Sequence, residues 1–447
     1  MILSFHKNDV RVIMDVVYNH TAESANSWMN LTVPGYYYRM NDDGSFSNGS
    51  GCGNEVASER AMVRKYIVDS VVYWATEYKV DGFRFDLMGL IDIETMKAIR
   101  EALDKVDPTI IIYGEGWTGG TSLLLGYDAA LKKNTIRFED KQIGAFSDDI
   151  RDGLKGSVFT NTDTGFATGK IGQEERIKAG VIGATNYPGI NWAGTHTDIC
   201  SPWAANPIQT VNYTSCHDNL TLWDKIALSN KDDSEEDRIK MNLLCASVVY
   251  TSQGIPFILS GEEILRSKGG DHNSYKSSDE VNSIKWDDMN TEVYEYYKGL
   301  IEFRKNHAGL RMTKTDDVAT YLKFITDAPA NVVAYTIDGK ANGECADQLL
   351  VIYNANKEAV EVNIPSGEWK VCVKDNKAGT DVIETISGGK ASVSAISTMV
   401  LVKGDTVDPA MSGSDFPLVP VIIISAVAVV AIIAAVVILK GRKKKIS

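Results

Sequence analysis

The sequence predicts an α/β protein: a barrel of parallel strands ringed by helices, followed by a small all-β sandwich and one membrane-spanning helix. Three observations carry this. Apolar β-branched runs alternate with amphipathic helical stretches through the first 309 residues. Short alternating strands separated by turn residues fill 310–404. An almost wholly aliphatic run from Val421 to Leu439 is long enough to cross a bilayer as a helix.

Taken in order, Arg11 to Tyr18 (RVIMDVVY) reads as a strand buried on both faces, ending in Asn19 and His20. A polar, Gly-rich loop runs through Gly53. A helix then begins at Ser58, with Val63, Ile67, Val71 and Trp74 on one stripe. Asp81 to Leu87 is a strand, Ile93 to Lys105 an amphipathic helix and Thr109 to Tyr113 a strand. Further strands are predicted at Gln142–Phe146, Thr210–Ser215 and Ile255–Ser260, with helices over Arg238–Tyr250 and Val293–Asn306. A doubly wound open sheet shares this alternation, but no Gly-rich phosphate loop follows a first strand. The later strands are read at Thr320–Ile325, Val332–Ile337, Gln348–Tyr353, Ala359–Ile364, Trp369–Val373 and Ser392–Lys403. The divisions are therefore a barrel at 1–309, a β-sandwich at 310–404, a stalk at 405–416, a transmembrane helix at 417–439 and a basic tail at 440–447.

Lys440, Arg442, Lys443, Lys444 and Lys445 follow the aliphatic run directly, so the positive-inside rule puts the tail in the cytoplasm and everything before it outside the cell. Met1 to Arg11 has no basic start followed by a long apolar run, and the expectation is that an N-terminal part with the export signal precedes it. A net charge of −13 argues against a nucleic-acid partner and suits an uncharged ligand. The eight Trp and 19 Tyr suit a carbohydrate, whose apolar faces stack on aromatic rings. Six cysteines without a CxxC pair give no zinc or disulfide framework, although Cys345 and Cys372 lie in one small domain and are a conceivable pair.

Four segments carry candidate chemistry. In Asp81–Met88 (DGFRFDLM), Arg84 and Asp86 are two apart on a strand and share a face, and a guanidinium beside a carboxylate keeps it ionised, as a nucleophile requires. In Ile110–Trp117 (IIIYGEGW), an apolar strand runs into Glu115 between two glycines, which let a large ligand approach the backbone. A carboxyl near the Trp117 indole and shielded from water suits a general acid. In Tyr213–Asn219 (YTSCHDN), His217, Asp218 and Asn219 end a third strand. In Asp15–His20 (DVVYNH), His20 is a hydrogen-bond donor for a sugar hydroxyl, while Asp15 reads as a satisfied core carboxylate.

In this order and on these strand ends, the four segments resemble the signature regions of glycoside hydrolase family 13, the α-amylase family. DVVYNHT, VPGYYYR with SNGSGCGNE, DGFRFDLMG, YGEGW, TSCHDN and GGDHNSY resemble type I pullulanases in particular, over about Val10 to Lys403. The resemblance implies a (β/α)8 TIM barrel that this chain enters at its third strand, so that the first two strands and a YNWGYDP-type motif are expected to be absent. It implies hydrolysis of α-1,6-glucosidic branch linkages in pullulan, amylopectin and limit dextrins by a retaining mechanism. Asp86 would be the nucleophile, Glu115 the acid/base and Asp218 the transition-state stabiliser, with the Asp86 and Glu115 carboxyls about 5 to 5.5 Å apart. His20, Arg84 and His217 would hold the glucose ring, Trp117 and Asn219 would line neighbouring positions, and Asn273 and Tyr275 would contribute from a late loop. No cofactor is required by this chemistry, and calcium is possible on family grounds. The rival readings are an α-1,4-cleaving amylase or amylopullulanase, and a non-catalytic surface protein that binds glucan.

Overall fold

Six short strands, β1 (Ile13–Val16), β2 (Gly82–Phe85), β3 (Ile111–Gly114), β4 (Gly144–Phe146), β5 (Thr210–Asn212) and β6 (Ile255–Pro256), pair in parallel in chain order. Parallel neighbours need a crossover, and helices supply it. Ala61–Glu77 joins β1 to β2, Ile93–Asp104 joins β2 to β3, and Asp148–Lys155 with Glu174–Val181 joins β4 to β5. Leu222–Ser229 and Glu235–Thr251 join β5 to β6. The helix over Ala61–Glu77 turns Val63, Ile67, Val71 and Ala75 inward at helical spacing, and Asp92 caps Ile93–Asp104 by accepting from Thr95 N. Residues 1–411 of this computed structural model are described, and Met1–Asp408 forms one unit.

β1 departs from its expected burial on both faces. It is an edge strand among the described residues, paired with β2 alone, and Ile13 and Val17 are 37% and 51% exposed. Asp15 lies on the same exposed run rather than in the core, its side chain 52% exposed.

A second, antiparallel sheet contains β7 (Leu322–Phe324), β8 (Val332–Asp338), β9 (Ala346–Asn354), β10 (Val360–Val373), β11 (Glu384–Val393) and β12 (Ser397–Gly404), in the order β11-β10-β12-β9-β8-β7. The expected two-sheet sandwich is one hydrogen-bonded sheet. Two expected strands, 359–364 and 369–373, merge into β10 because Pro365, Ser366 and Gly367 make a bulge rather than a turn, with Gly367 at φ +114°. The run 392–403 divides instead, at Ile396 with φ +46°. Alternation along these strands feeds two cores. Val333, Tyr335, Leu349, Val351, Tyr353, Val400 and Val402 pack with helices Glu235–Thr251 and Thr291–Asn306, while Ala334, Leu350, Ile352, Trp369, Met399 and Leu401 form a core of the sheet's own.

The expected spanning helix at 417–439, the tail at 440–447 and the end of the stalk, 412–416, lie outside the described residues. Among the described residues, no helix is long and apolar enough to cross a membrane.

Candidate active site

The ends of β1, β2 and β3 bring the first carboxylates together. Parallel register sets Asp15 beside Arg84 and Arg84 beside Tyr113, so residues just beyond these positions emerge on one rim of the sheet. Arg84, 5% exposed, is the hub. Its Nη1 donates to Asp15 Oδ1 at 2.9 Å and to Asp86 Oδ1 at 3.1 Å, and its Nη2 donates to Glu115 Oε1 at 2.5 Å. Burial works against the Arg84 charge, but the Glu115, Asp15 and Asp86 carboxylates outweigh it and raise its pKa. The second Asp86 oxygen accepts from Asn19 Nδ2 at 2.7 Å, and the same amide donates to the Asp86 carbonyl at 2.7 Å. Asn19 is fully buried, and its Oδ1 meets His20 Nδ1 at 2.5 Å.

Glu115 is 7% exposed, and its second oxygen accepts from Leu87 N at 2.9 Å. Burial raises its pKa above the ordinary carboxyl value, Arg84 and the Leu87 amide oppose the rise, and the Asp86 and Asp218 charges add to it. The flanking glycines serve chain packing rather than ligand approach. A Cβ at Gly114 would stand 2.5 Å from Phe85 O, and one at Gly116 would stand 2.6 Å from Lys132 N. Side chains there would push the strand carrying Glu115 away from β2 and from the segment behind it.

Beyond β5, His217 Nε2 and Asp218 Oδ2 stand 3.6 Å apart, both half exposed or more, and Asn219 follows at φ +64°. Contact between His217 Nδ1 and the Cys216 sulfur at 3.4 Å is the largest cause that raises the His217 pKa to about 9; burial opposes it and the Asp218 charge adds to it. A cleft of about 480 Å³ opens beside these groups. Glu115, Trp117, Asp218 and Asn219 line it, with Phe146, Arg151, Lys155, Tyr213 and Cys216. Asn273 and Tyr275 are not among its lining residues, and Tyr275 is 71% exposed. Their loop reaches the site indirectly, because Lys268 Nζ donates to Ser274 Oγ at 2.6 Å and to His217 O at 3.4 Å.

The sequence reading missed the wall contributed by β4 and its helix. Arg151 Nη1 donates to Tyr213 OH at 2.8 Å, and Lys155 lies one turn further on. The available signal was Asp148–Lys155 (DDIRDGLK), which places Ile150 and Leu154 on one apolar stripe and Arg151 and Lys155 four apart on another. All six cysteines are free, so Cys345 and Cys372 do not pair, and only Cys245 and Cys372 are buried. The described residues hold one cluster of His, Cys and acidic ligands, His307, Glu344 and Cys345, with ligand atoms within 4.8 Å. Its nitrogen, carboxylate and sulfur donors do not fit calcium, which takes six to eight oxygens.

Chemically, a carboxylate held by Arg84 and Asn19 has the fixed placement that a nucleophile needs. A buried carboxyl whose pKa burial raises keeps its proton to higher pH than a free one, as a general acid must. Arg84 fixes the distance between the two.

Known proteins resemble this chain over most of its length. Residues 318–377 match the family described as pullulanase, all-beta domain. The pullulanase of Bacillus subtilis (strain 168) is 38% identical over 368 residues, 82% of this chain and 49% of that protein. The crystal structure of pullulanase from Bacillus acidopullulyticus superposes with a TM-score of 0.83 at 42% identity, covering 90% of this chain and 47% of its own. The type I pullulanase from Bacillus subtilis str. 168, complexed with maltose, gives 0.83 at 34% identity, covering 90% of this chain and 55% of its own. The chain thus spans about half the length of the relatives it matches.

Proposed function

The chain belongs to the type I pullulanase family, and from that premise we propose that it hydrolyses α-1,6-glucosidic branch linkages in pullulan, amylopectin and limit dextrins. One observation carries the reading: Arg84 joins Asp86 to the buried Glu115 across adjacent strand ends, at 3.1 and 2.5 Å. Asp86 attacks the anomeric carbon while Glu115 gives its proton to the leaving oxygen, which forms a glycosyl-enzyme and frees the leaving sugar. Glu115, now ionised, takes a proton from water as that water attacks the same carbon, which releases Asp86 with net retention. Asp218 supports the positive charge that builds on the sugar ring. His20, Arg84 and His217 hold the glucose unit at the cleavage point, Trp117 and Asn219 bind its neighbours, and Asn273 and Tyr275 contribute from the loop beyond Lys268.

The same reading extends to architecture and place. The six parallel strands belong to a (β/α)8 barrel over 1–309 with the β domain from 310 to 404, and the partner is an α-glucan, as maltose is for the B. subtilis relative. The aliphatic run at 417–439 followed by five basic residues supports a single-pass anchor with the catalytic part outside the cell.

Digestion of pullulan with the full chain, followed by chromatography of the products, tests the activity. Maltotriose is the expected product, and Asp86→Asn should lower the rate by at least about 10³-fold while glucan binding persists. Panose or isopanose would replace the α-1,6 reading with an α-1,4-cleaving one, and binding without cleavage would make the chain a glucan-binding protein.

A further inference from the structure

Lys155 ends the helix Asp148–Lys155, is 1% exposed and lines the cleft that also holds Glu115 and Trp117. Among the described residues its ammonium makes no hydrogen bond or ion pair; Asp152 and Glu262 attract its charge, but their hydrogen bonds go to other groups. Asp152 accepts from Arg151 Nε at 2.6 Å. Glu262, 6% exposed, accepts from Thr214 Oγ1 at 2.8 Å, from Tyr297 OH at 3.4 Å and from Ser215 Oγ. A buried ammonium with three unserved donors is costly, and such groups persist where a partner arrives from outside. Burial first, and the Arg151 charge second, lower the Lys155 pKa to about 8. At neutral pH the group is still mostly protonated and so offers donors to the oxygen of a sugar hydroxyl.

We propose that Lys155 binds a ring hydroxyl of the glucosyl unit on the leaving-group side of the scissile bond. This rests on the glycosidase reading above, in which Glu115 protonates the leaving oxygen, so that the leaving sugar occupies the cleft shared by Glu115, Trp117 and Lys155. Lys155 is thereby a substrate-positioning residue that the sequence motifs do not mark.

The test uses the full chain with Lys155→Met, which keeps length and loses the donor, and Lys155→Gln, which keeps a donor without charge. Maltotriose binding by titration calorimetry, KM and kcat on pullulan, and Tm are measured for each. Lys155→Met should weaken maltotriose binding and raise KM about tenfold, with the loss in KM rather than kcat, while Lys155→Gln loses about threefold. Tm should rise in Lys155→Met, because an unpaired buried amine has gone. If Lys155 serves only as counter-charge to Glu262, both variants lower Tm alike and leave maltotriose binding as it was, which overturns the proposal while cleavage of pullulan by the wild type still stands. Should the wild type bind maltotriose without cleaving pullulan, the glycosidase reading fails and the binding ratio of Lys155→Met to wild type alone decides the role of Lys155.

Discussion

Replacing Arg84 by Met should move the alkaline limb of the pH–rate profile upward. In the proposed mechanism Glu115 must carry a proton for the first step, so activity is lost as pH rises through its pKa. Burial raises that pKa and Arg84 is the largest influence opposing the rise, so removing the guanidinium leaves the Leu87 amide as the main opposition to burial. The magnitude follows from the geometry. The Arg84 and Glu115 side chains are 6% and 9% exposed, and their charge centres, about 4 Å apart, attract by about 4 kcal/mol at an effective dielectric of about 20. At about 1.4 kcal/mol per pH unit, this caps the displacement at about 3 pH units. Water reaching the Asp86 side chain, 25% exposed, weakens the effect, and a displacement of about 1 to 3 units is expected. The assay is kcat/KM on pullulan from pH 4 to 10 for both proteins. Overall rate falls as well, since Arg84 also holds Asp86, but the position of the limb is independent of its height. A limb that stays in place, or moves down, would mean that the titrating acid is not Glu115.

Two further perturbations probe the surroundings. Asn19→Leu removes both amide contacts to Asp86, and kcat should drop about 100-fold with unchanged circular dichroism; a drop below threefold would deny Asn19 any part in positioning the carboxylate. Glu262 is enclosed, and burial raises its pKa against the hydrogen bonds from Ser215 and Thr214. Its contribution to stability is therefore fully present below the ordinary value of 4.5 and lost as pH rises through the raised, folded value. Glu262→Gln stays uncharged throughout, so the Tm difference between variant and wild type should grow in the variant's favour from pH 5 to pH 9, and a constant difference would contradict the raised pKa.

Legibility in the sequence followed the physics of each element. The alternation of strands and helices was visible because β-branched runs and 3.6-residue stripes are local signals, as at Thr109–Tyr113 and Val63–Val71, although Ala75 rather than the expected Trp74 completes the buried stripe. Arg84 and Asp86 were read onto one face because strand geometry fixes that at two-residue spacing, and Arg84 does hold Asp86. What stayed hidden depended on partners distant in the chain. The edge position of β1, and with it the exposure of Asp15, follows from sheet order. The bulge at Pro365–Gly367 and a turn there share one composition. The isolation of Lys155 becomes visible only when the hydrogen bonds of Asp152 and Glu262 are found to go to Arg151 and Thr214. Asn273 and Tyr275 were read from a motif whose loop is tied to His217 through Lys268 and Ser274.

The central claim, a retaining attack at α-1,6 linkages by the Asp86 and Glu115 pair, is tested most directly by following pullulan digestion with the full chain by time-resolved ¹H NMR. The first anomeric signal expected is that of α-maltotriose, with the β form growing in later by mutarotation. An initial β signal would mean inversion and would remove Asp86 as a nucleophile, and α-configured panose or isopanose would keep the nucleophile but contradict the linkage.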